Sequence, residues 1–316
     1  MAVEERPYSG HPADDLLIAA LLDAQPGHVR HLADQPWRLS SPDAQSGRYV
    51  RLWQHTGGQL AGFAAWQIPW AALDLFVRDG PHRRVVVDAI FGWANSLFRE
   101  LDDERGFALP YWLECRTDDR HTATLARARG FTMSEERYAC LERPLAARLA
   151  QARHAPSAAA LARLPRGFRL RELAGESEAD SYAELHRAAF GTQSMTGQWR
   201  ARTLRMPQYR QDLDLVAIAP DGTLAGFCVG WLDAARRIGR VEPLGIRPGC
   251  TGIGLAQALP TELSSRLAAA GAERACVEVD QANTAALRSY EAAGFRVTDT
   301  VQALGRTVHM PDQARR

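Results

Sequence analysis

The stretch Leu244-Gly-Ile-Arg-Pro-Gly-Cys-Thr-Gly-Ile-Gly-Leu-Ala-Gln-Ala-Leu259 decides how this chain folds. Apolar Leu244 and Ile246 read as the end of a buried strand, 248–254 as a tight loop, and Leu255 onward as a helix with a glycine-rich entry. Glycines at 252 and 254 let the backbone approach an anion closely. The unpaired amides and positive dipole end of the new helix attract negative charge. The stretch therefore predicts a phosphate cradle. A glycine pair before a helix also serves as a plain turn, so a second feature has to weigh in.

That feature follows a predicted strand at 275–279. It reads Asp280-Gln-Ala-Asn283-Thr-Ala-Ala286-Leu-Arg-Ser-Tyr290-Glu-Ala-Ala-Gly294-Phe295. Together the two stretches resemble the GNAT superfamily of acyl-CoA-dependent N-acetyltransferases. Its cofactor loop reads (Gln/Arg)-x-x-Gly-x-(Gly/Ala), and its last helix reads Asn-x-x-Ala-x-x-x-Tyr-x-x-x-Gly-Phe. Gly254 and Ala256 fall on the loop's final signature positions, with Gly252 on a commonly glycine site between. Asn283, Ala286, Tyr290, Gly294 and Phe295 fall on the helix pattern. Thr251 departs, standing where the family has Gln or Arg. Loss of that long arm to a phosphate is worth about 1.5–3 kcal/mol. Arg247 and Arg288 are the nearby cations that would make it up.

The resemblance implies a set of roles. Acetyl-CoA is the expected cofactor. Thr251, Gly252, Ile253, Gly254, Leu255 and Ala256 would hold its pyrophosphate, and the backbone of Leu244, Gly245 and Ile246 would pair with its pantetheine arm. Asn283 would touch that arm or simply cap a helix. Tyr290 would be the general acid for the departing thiolate, or a core tyrosine on a helix face. Glu242, on the same strand as Leu244, would be the base, or a solvated strand charge. His186 is a remote second base.

Composition narrows the field. The 316 residues suffice for two domains, with 46% hydrophobic and 24% charged residues and a formal net charge of +1. So even a balance gives no general pull toward nucleic acid. No apolar run approaches a bilayer span and no signal-peptide pattern opens the chain, so a cytoplasmic protein that binds no membrane is expected. The five cysteines show neither a disulfide framework nor a metal-binding spacing, and no metal is expected. Cys250 reads as a small loop residue, because the cradle needs backbone there and not sulfur.

The chain also repeats itself. Predicted strands at 49–54 and 60–68 join through Gly57-Gly58, and one at 72–77 precedes a helix at 85–101. A strand at 111–116, a helix at 122–129 and another strand follow. Gly58-Gln-Leu-Ala-Gly62-Phe63 matches Gly222-Thr-Leu-Ala-Gly226-Phe227, and Gly130-Phe131 matches Gly294-Phe295, both 164 residues apart. The expected fold is α/β (α+β), with tandem duplicated GNAT-like domains, each a mixed, mostly antiparallel sheet flanked by helices. The boundaries expected are 1–145 for a degenerate first domain, 146–166 for a helical linker rich in Ala, Arg and Pro, and 167–316 for the acetyl-CoA-binding domain. The first copy is degenerate because valines 85–87 stand where the second has Gly254 and Ala256, with Asp119 for Asn283 and Ala126 for Tyr290. A rival reading builds an acyl-CoA site there from Arg83 and Arg84.

The acceptor is expected over 186–212, where Trp199, Arg202 and Tyr209 would line it; a solvated helix with exposed arginines is the plainer alternative. The tandem layout, with Arg288 to Phe295 and Ala188-Ala-Phe190, resembles the mycothiol synthase family. That resemblance implies a small-molecule primary amine as acceptor, the cysteinyl amine of a pseudodisaccharide thiol precursor. A non-catalytic acyl-CoA-binding protein is the rival from another class, motivated by Thr251 and the eroded first copy.

Overall fold

A computed structural model describes residues 3–24, 35–68, 71–106, 110–116, 120–146 and 156–307. In order the elements are β1 (Val3–Pro7), α1 (Pro12–Asp23), α2 (Gln35–Leu39), α3 (Pro42–Gln45), β2 (Val50–His55), β3 (Leu60–Gln67), β4 (Ala72–Val77), α4 (Arg83–Arg105), β5 (Pro110–Arg116), α5 (Arg120–Arg127) and β6 (Thr132–Pro144). Then come α6 (Ala158–Leu161), β7 (Arg169–Glu172), α7 (Ala179–Phe190), α8 (Gly197–Leu204), β8 (Asp214–Ile218), β9 (Leu224–Asp233), β10 (Ile238–Ile246), α9 (Leu255–Ala269), β11 (Arg274–Asp280), α10 (Thr284–Ala292) and β12 (Arg296–Thr307). No described helix is long and apolar enough to cross a membrane.

The chain forms two compact units, and they do not part at one point. Unit 1 comprises Met1–Arg30, Pro42–Arg137 and Val301–Arg316; unit 2 comprises His31–Ser41 and Tyr138–Thr300. Cuts at 145 and 167 would therefore pass through unit 2. Pairing explains why. Residues 138–144 of β6 run antiparallel to β11 over their full length, and 301–307 of β12 run antiparallel to β5. Each unit thus takes its sixth strand from the other half of the sequence. Unit 1 orders β1-β2-β3-β4-β5 and then the end of β12, and unit 2 orders β7-β8-β9-β10-β11 and then the end of β6. In both, the fourth and fifth strands are parallel and the rest antiparallel. The expected linker lies partly at 147–155, outside the described residues. Its described end does not dangle: Ser157 caps α6, Ala160 is fully buried, and the Ser157 amide donates to Glu262 on α9 at 2.7 Å.

The repeat has a packing cause. In unit 2, Leu259, Leu263 and Leu267 stand four apart on one stripe of α9. Cβ atoms added at Gly226, Gly230 and Gly239 would lie 3.1, 2.7 and 2.6 Å from those leucines. The glycines let the helix settle onto β9 and β10. Gly62 does the same in unit 1, where a Cβ would lie 2.9 Å from Val86 of α4. The Gly-Phe landmark is a helix stop in both units. Gly130 and Gly294 take φ of +81° and +94°, and the following amides close onto Ala126 and Tyr290 at 3.1 and 3.0 Å. Ala126 thus occupies the backbone place of Tyr290.

Candidate active site

In unit 2, β10 pairs with β9 along one edge as far as Ile246↔Gly226, with a bulge between Val241 and Leu244. Along its other edge the parallel ladder with β11 ends at Arg240↔Cys276. Both strands run on, β10 to Ile246 and β11 to Asp280. A split opens between them, and the edge of β10 from Val241 to Ile246, with Leu244 and Gly245 inside it, has no β11 partner. Gly239 and Val241 face α9, whereas Gly245 faces α7: a Cβ on it would fall 2.3 Å from Phe227 and 3.0 Å from Ala189.

The loop 247–254 follows. The Cys250 amide turns back onto Arg247, and the next amides to close are those of Gln257 and Ala258, both onto Gly254. Among the described residues, the amides of Thr251, Gly252, Ile253, Gly254, Leu255 and Ala256 donate to no backbone acceptor. Leu255 and Ala256 are the first residues of α9, where a helix offers its own amides none. Gly252 has φ +76° and a Cβ there would meet nothing within 4 Å, while Gly254 has φ +104° and lies against Arg163 O. Ile253 is an exposed apolar residue beside them. A row of open amides at a helix N-terminus, with bare backbone in front, fits a pyrophosphate. The cations suggested as substitutes for a side chain at 251 are engaged elsewhere. Arg247 Nε donates to Leu224 O at 2.8 Å and its Nη1 lies 3.4 Å from Glu184; Arg288 donates to Thr284 O at 3.2 Å. The cradle is built of backbone.

Unit 1 has a split of its own, with a single parallel pair, Ala72↔Trp112. What it lacks is the loop. Val77 sits opposite Gly62 as Ile246 sits opposite Gly226, but only 78–82 separate β4 from α4, against 247–254 in unit 2. The place holds a cavity of about 50 Å³ lined by His55, Arg78, His82 and Arg83 among others. Arg83 bends back to Val77 O and Asp79, and the Arg84 side chain is 94% exposed. Asp119 lies outside the described residues.

Tyr290 sits on α10 with its ring edge-on to Phe295 at 5.5 Å and is 5% exposed. Its hydroxyl makes no hydrogen bond among the described residues. Burial raises its pKa well above the ordinary phenol value, with Cys228 and Glu242 adding to the rise and Arg240 opposing it. Glu242 and Arg240 belong to β10, which borders the split, and Cys228 to the neighbouring β9. Glu242 is on β10 next to the bulge, its side chain 36% exposed and 2.6 Å from Arg240. Asn283 caps α10, accepting from the Ala286 amide at 3.0 Å.

The three residues expected to line the acceptor are engaged in packing. Trp199 is 3% exposed, edge-on to Trp37 at 4.5 Å, with its indole N–H toward Trp37 O. Arg202 Nε donates to Ser40 O at 2.9 Å, and Thr203 shares a hydrogen bond with Ser40 at 2.8 Å. Tyr209 donates to Asp214 at 2.8 Å, and Asp214 forms a fully buried ion pair with Arg200. For Trp199 and Arg202 the reason is the segment 35–41, which belongs to unit 2 and contacts α8. Nothing in the local pattern of 186–212 announces a partner some 160 residues away. Arg202→Met is expected to cost about 1–2 kcal/mol in urea unfolding while leaving acceptor KM within twofold. His186 is likewise buried, stacked on Phe227 at 5.6 Å. Burial, then Arg200 and Arg187, lower its pKa to about 4, so it is neutral at physiological pH.

Arg240 and Glu278, both nearly buried beside the split, were not anticipated. Their signal is a charged residue inside a strand whose alternate residues are apolar.

Comparison with known proteins bears on this geometry. Residues 179–295, which span the split, the loop and α10, match the acetyltransferase (GNAT) family. Those residues carry a GNAT acetyltransferase domain, and the chain is an acetyl-CoA-dependent N-acetyltransferase. A mycothiol acetyltransferase of Kineococcus radiotolerans is 28% identical over 95% of both chains. Another from Thermobispora bispora is 29% identical over 90% of this chain and 93% of that one. A tandem GNAT protein from the clavulanic acid biosynthesis pathway superposes with a TM-score of 0.62 at 16% identity, covering 98% of this chain and 100% of the other. That likeness is one of fold.

Proposed function

We propose that unit 2 carries the active site and moves the acetyl group directly from acetyl-CoA to the primary amine of a small molecule. The observation that carries this reading is the coincidence of two features. The β10–β11 ladder ends at Arg240 while both strands continue, and the strand so freed runs straight into the open amides of 251–256. Acetyl-CoA supplies the acetyl group as a thioester. The amides of 251–256 would hold its pyrophosphate, and the free edge of Leu244, Gly245 and Ile246 its pantetheine arm, with one amide left to polarise the carbonyl. Glu242 takes a proton from the acceptor nitrogen, whose lone pair then forms the new C–N bond. As the C–S bond breaks, Tyr290 donates its hydroxyl proton toward sulfur. A phenol whose pKa is raised by burial is fully protonated at neutral pH and favours hydrogen-bond donation over complete transfer.

Direct transfer is preferred because the thiols near the split are poor nucleophiles. Cys228 is fully buried and burial pushes its thiol pKa well up. Cys140 points its thiol at Glu278, 3.7 Å away, and a neighbouring carboxylate disfavours a thiolate. A cysteinyl-type amine is the acceptor to try first, a choice that the likeness to mycothiol acetyltransferases supports.

The test is calorimetric titration of the intact chain with acetyl-CoA, followed by thiol release with S-methyl-L-cysteinamide, 2-(methylthio)ethylamine and glucosamine. Saturable binding with amine-dependent release is expected. Binding with no release for any amine, and no change in Glu242→Gln, would return the chain to the role of a mere acyl-CoA binder.

A further inference from the structure

The bulge in β10 carries a hydrogen bond that the reading above does not use. Val241 pairs with Gly230 and Leu244 with Cys228, so Glu242 and Pro243 together stand opposite Val229. An extra residue of this kind leaves the ladder and bends its strand. Trp231, the next residue on β9 and only 1% exposed, donates its indole N–H to the backbone carbonyl of Glu242 at 2.8 Å. Trp231 is also the β9 partner of Arg240, the last β10 residue in the ladder with β11. The bond therefore falls where the two strands part.

The bulge changes which way β10 presents its residues. Before it, Gly239 and Val241 face α9. After it, Leu244 and Ile246 pack against that same core, whereas Gly245 faces Phe227 and Ala189. Odd-numbered residues face α9 on one side of the bulge and even-numbered ones on the other. A strand without the extra residue would keep the odd ones there, turning Gly245 toward α9 and Leu244 toward Phe227.

We infer that Trp231 is a positioning residue. By holding the Glu242 carbonyl it fixes the one-residue shift that sets the free edge of β10, so that a bare glycine and not a leucine lies on the α7 side where the pantetheine arm is to run. This rests on the reading of unit 2 as the acetyl-CoA site. Amides alternate between the two edges of a strand as side chains alternate between its faces, so the same shift sets which amides of 242–246 point into the split. A carbonyl that leaves its ladder among buried residues is costly unless a donor meets it, and the indole is that donor. Without it the bulge loosens or slides. The pyrophosphate cradle at 251–256 lies beyond the bulge and keeps its own geometry, so the effect is confined to the arm and to the thioester at its end.

The test compares the intact chain with two variants, Trp231→Phe and Trp231→benzothienylalanine; the second keeps the bicyclic ring and puts sulfur in place of the N–H. Two ligands are titrated by calorimetry: acetyl-CoA, and adenosine 3′-phosphate 5′-diphosphate, which has the diphosphate but no pantetheine arm. Both variants are expected to bind acetyl-CoA about tenfold more weakly, to bind the armless ligand within about twofold of the intact chain, and to lose about 30-fold in kcat. The benzothienylalanine variant separates the hydrogen bond from the packing of the ring, and it decides alone if Trp231→Phe does not fold. Equal weakening of both ligands, or unchanged acetyl-CoA affinity and kcat in the folded benzothienylalanine variant, overturns the inference. If the intact chain binds neither ligand, it is the reading of the site that fails, and hydrogen exchange then tests Trp231 by itself. Amides within 242–246 should exchange about tenfold faster in the variant, with those of β8 unchanged; equal exchange at 242–246 overturns the inference.

Discussion

Gly254→Val is expected to weaken acetyl-CoA binding by about 100-fold or more, equivalent to about 2.7 kcal/mol. Two independent facts act together. The backbone at 254 has φ +104°, a region that costs a side-chain-bearing residue about 1–2 kcal/mol and a β-branched one more. A Cβ there would also lie 2.5 Å from Arg163 O, so the loop or the segment before β7 has to move. The amides that would move are those proposed to hold the pyrophosphate. Gly252→Ala is the informative partner, since φ is +76° but a Cβ meets nothing within 4 Å; a loss of about tenfold is expected from backbone strain alone. Calorimetry measures both, with a thermal melt to verify folding. Wild-type affinity in a folded Gly254→Val chain would remove the cradle from the account.

Tyr290→Phe should lower kcat about 100-fold or more, leaving the acetyl-CoA Kd within twofold and stability within about 0.5 kcal/mol. The substitution keeps the ring, and with it the contact to Phe295. It removes a hydroxyl that has no hydrogen-bond partner among the described residues, so the folded state loses little. If the tyrosine only packs, kcat will not change. Single-turnover thiol release separates the chemical step from product release. The front half supplies a natural contrast, because Ala126 occupies the equivalent backbone place and offers no proton.

The elements were largely legible in the sequence because their causes are local. The strands at 50–55, 60–67 and 72–77 and the helices at 83–105, 255–269 and 284–292 follow apolar periodicity and glycine or asparagine punctuation. The two Gly-Phe helix stops, and the glycines 62 and 226 beneath α4 and α9, recur because each copy solves one packing problem in one way. The surroundings of Trp199, Arg202 and Tyr209 were not legible, for the opposite reason. Aromatic and cationic residues suit a ligand cleft and a protein contact equally well, and the contacts to Trp37, Ser40 and Asp214 come from tertiary packing.

By itself the sequence determined that a glycine-rich turn leads from a strand into a helix, that the unit carrying it is present twice, and that one copy has lost the turn and the tyrosine. These follow from residue types at fixed spacing, which act over a few residues. The tertiary structure alone decided where β10 and β11 part, that Arg240 bridges Glu242 and Glu278 at that point, and that each unit takes its sixth strand from the other half of the chain. Those features depend on strand register and on contacts between residues far apart in sequence, and no local pattern encodes either.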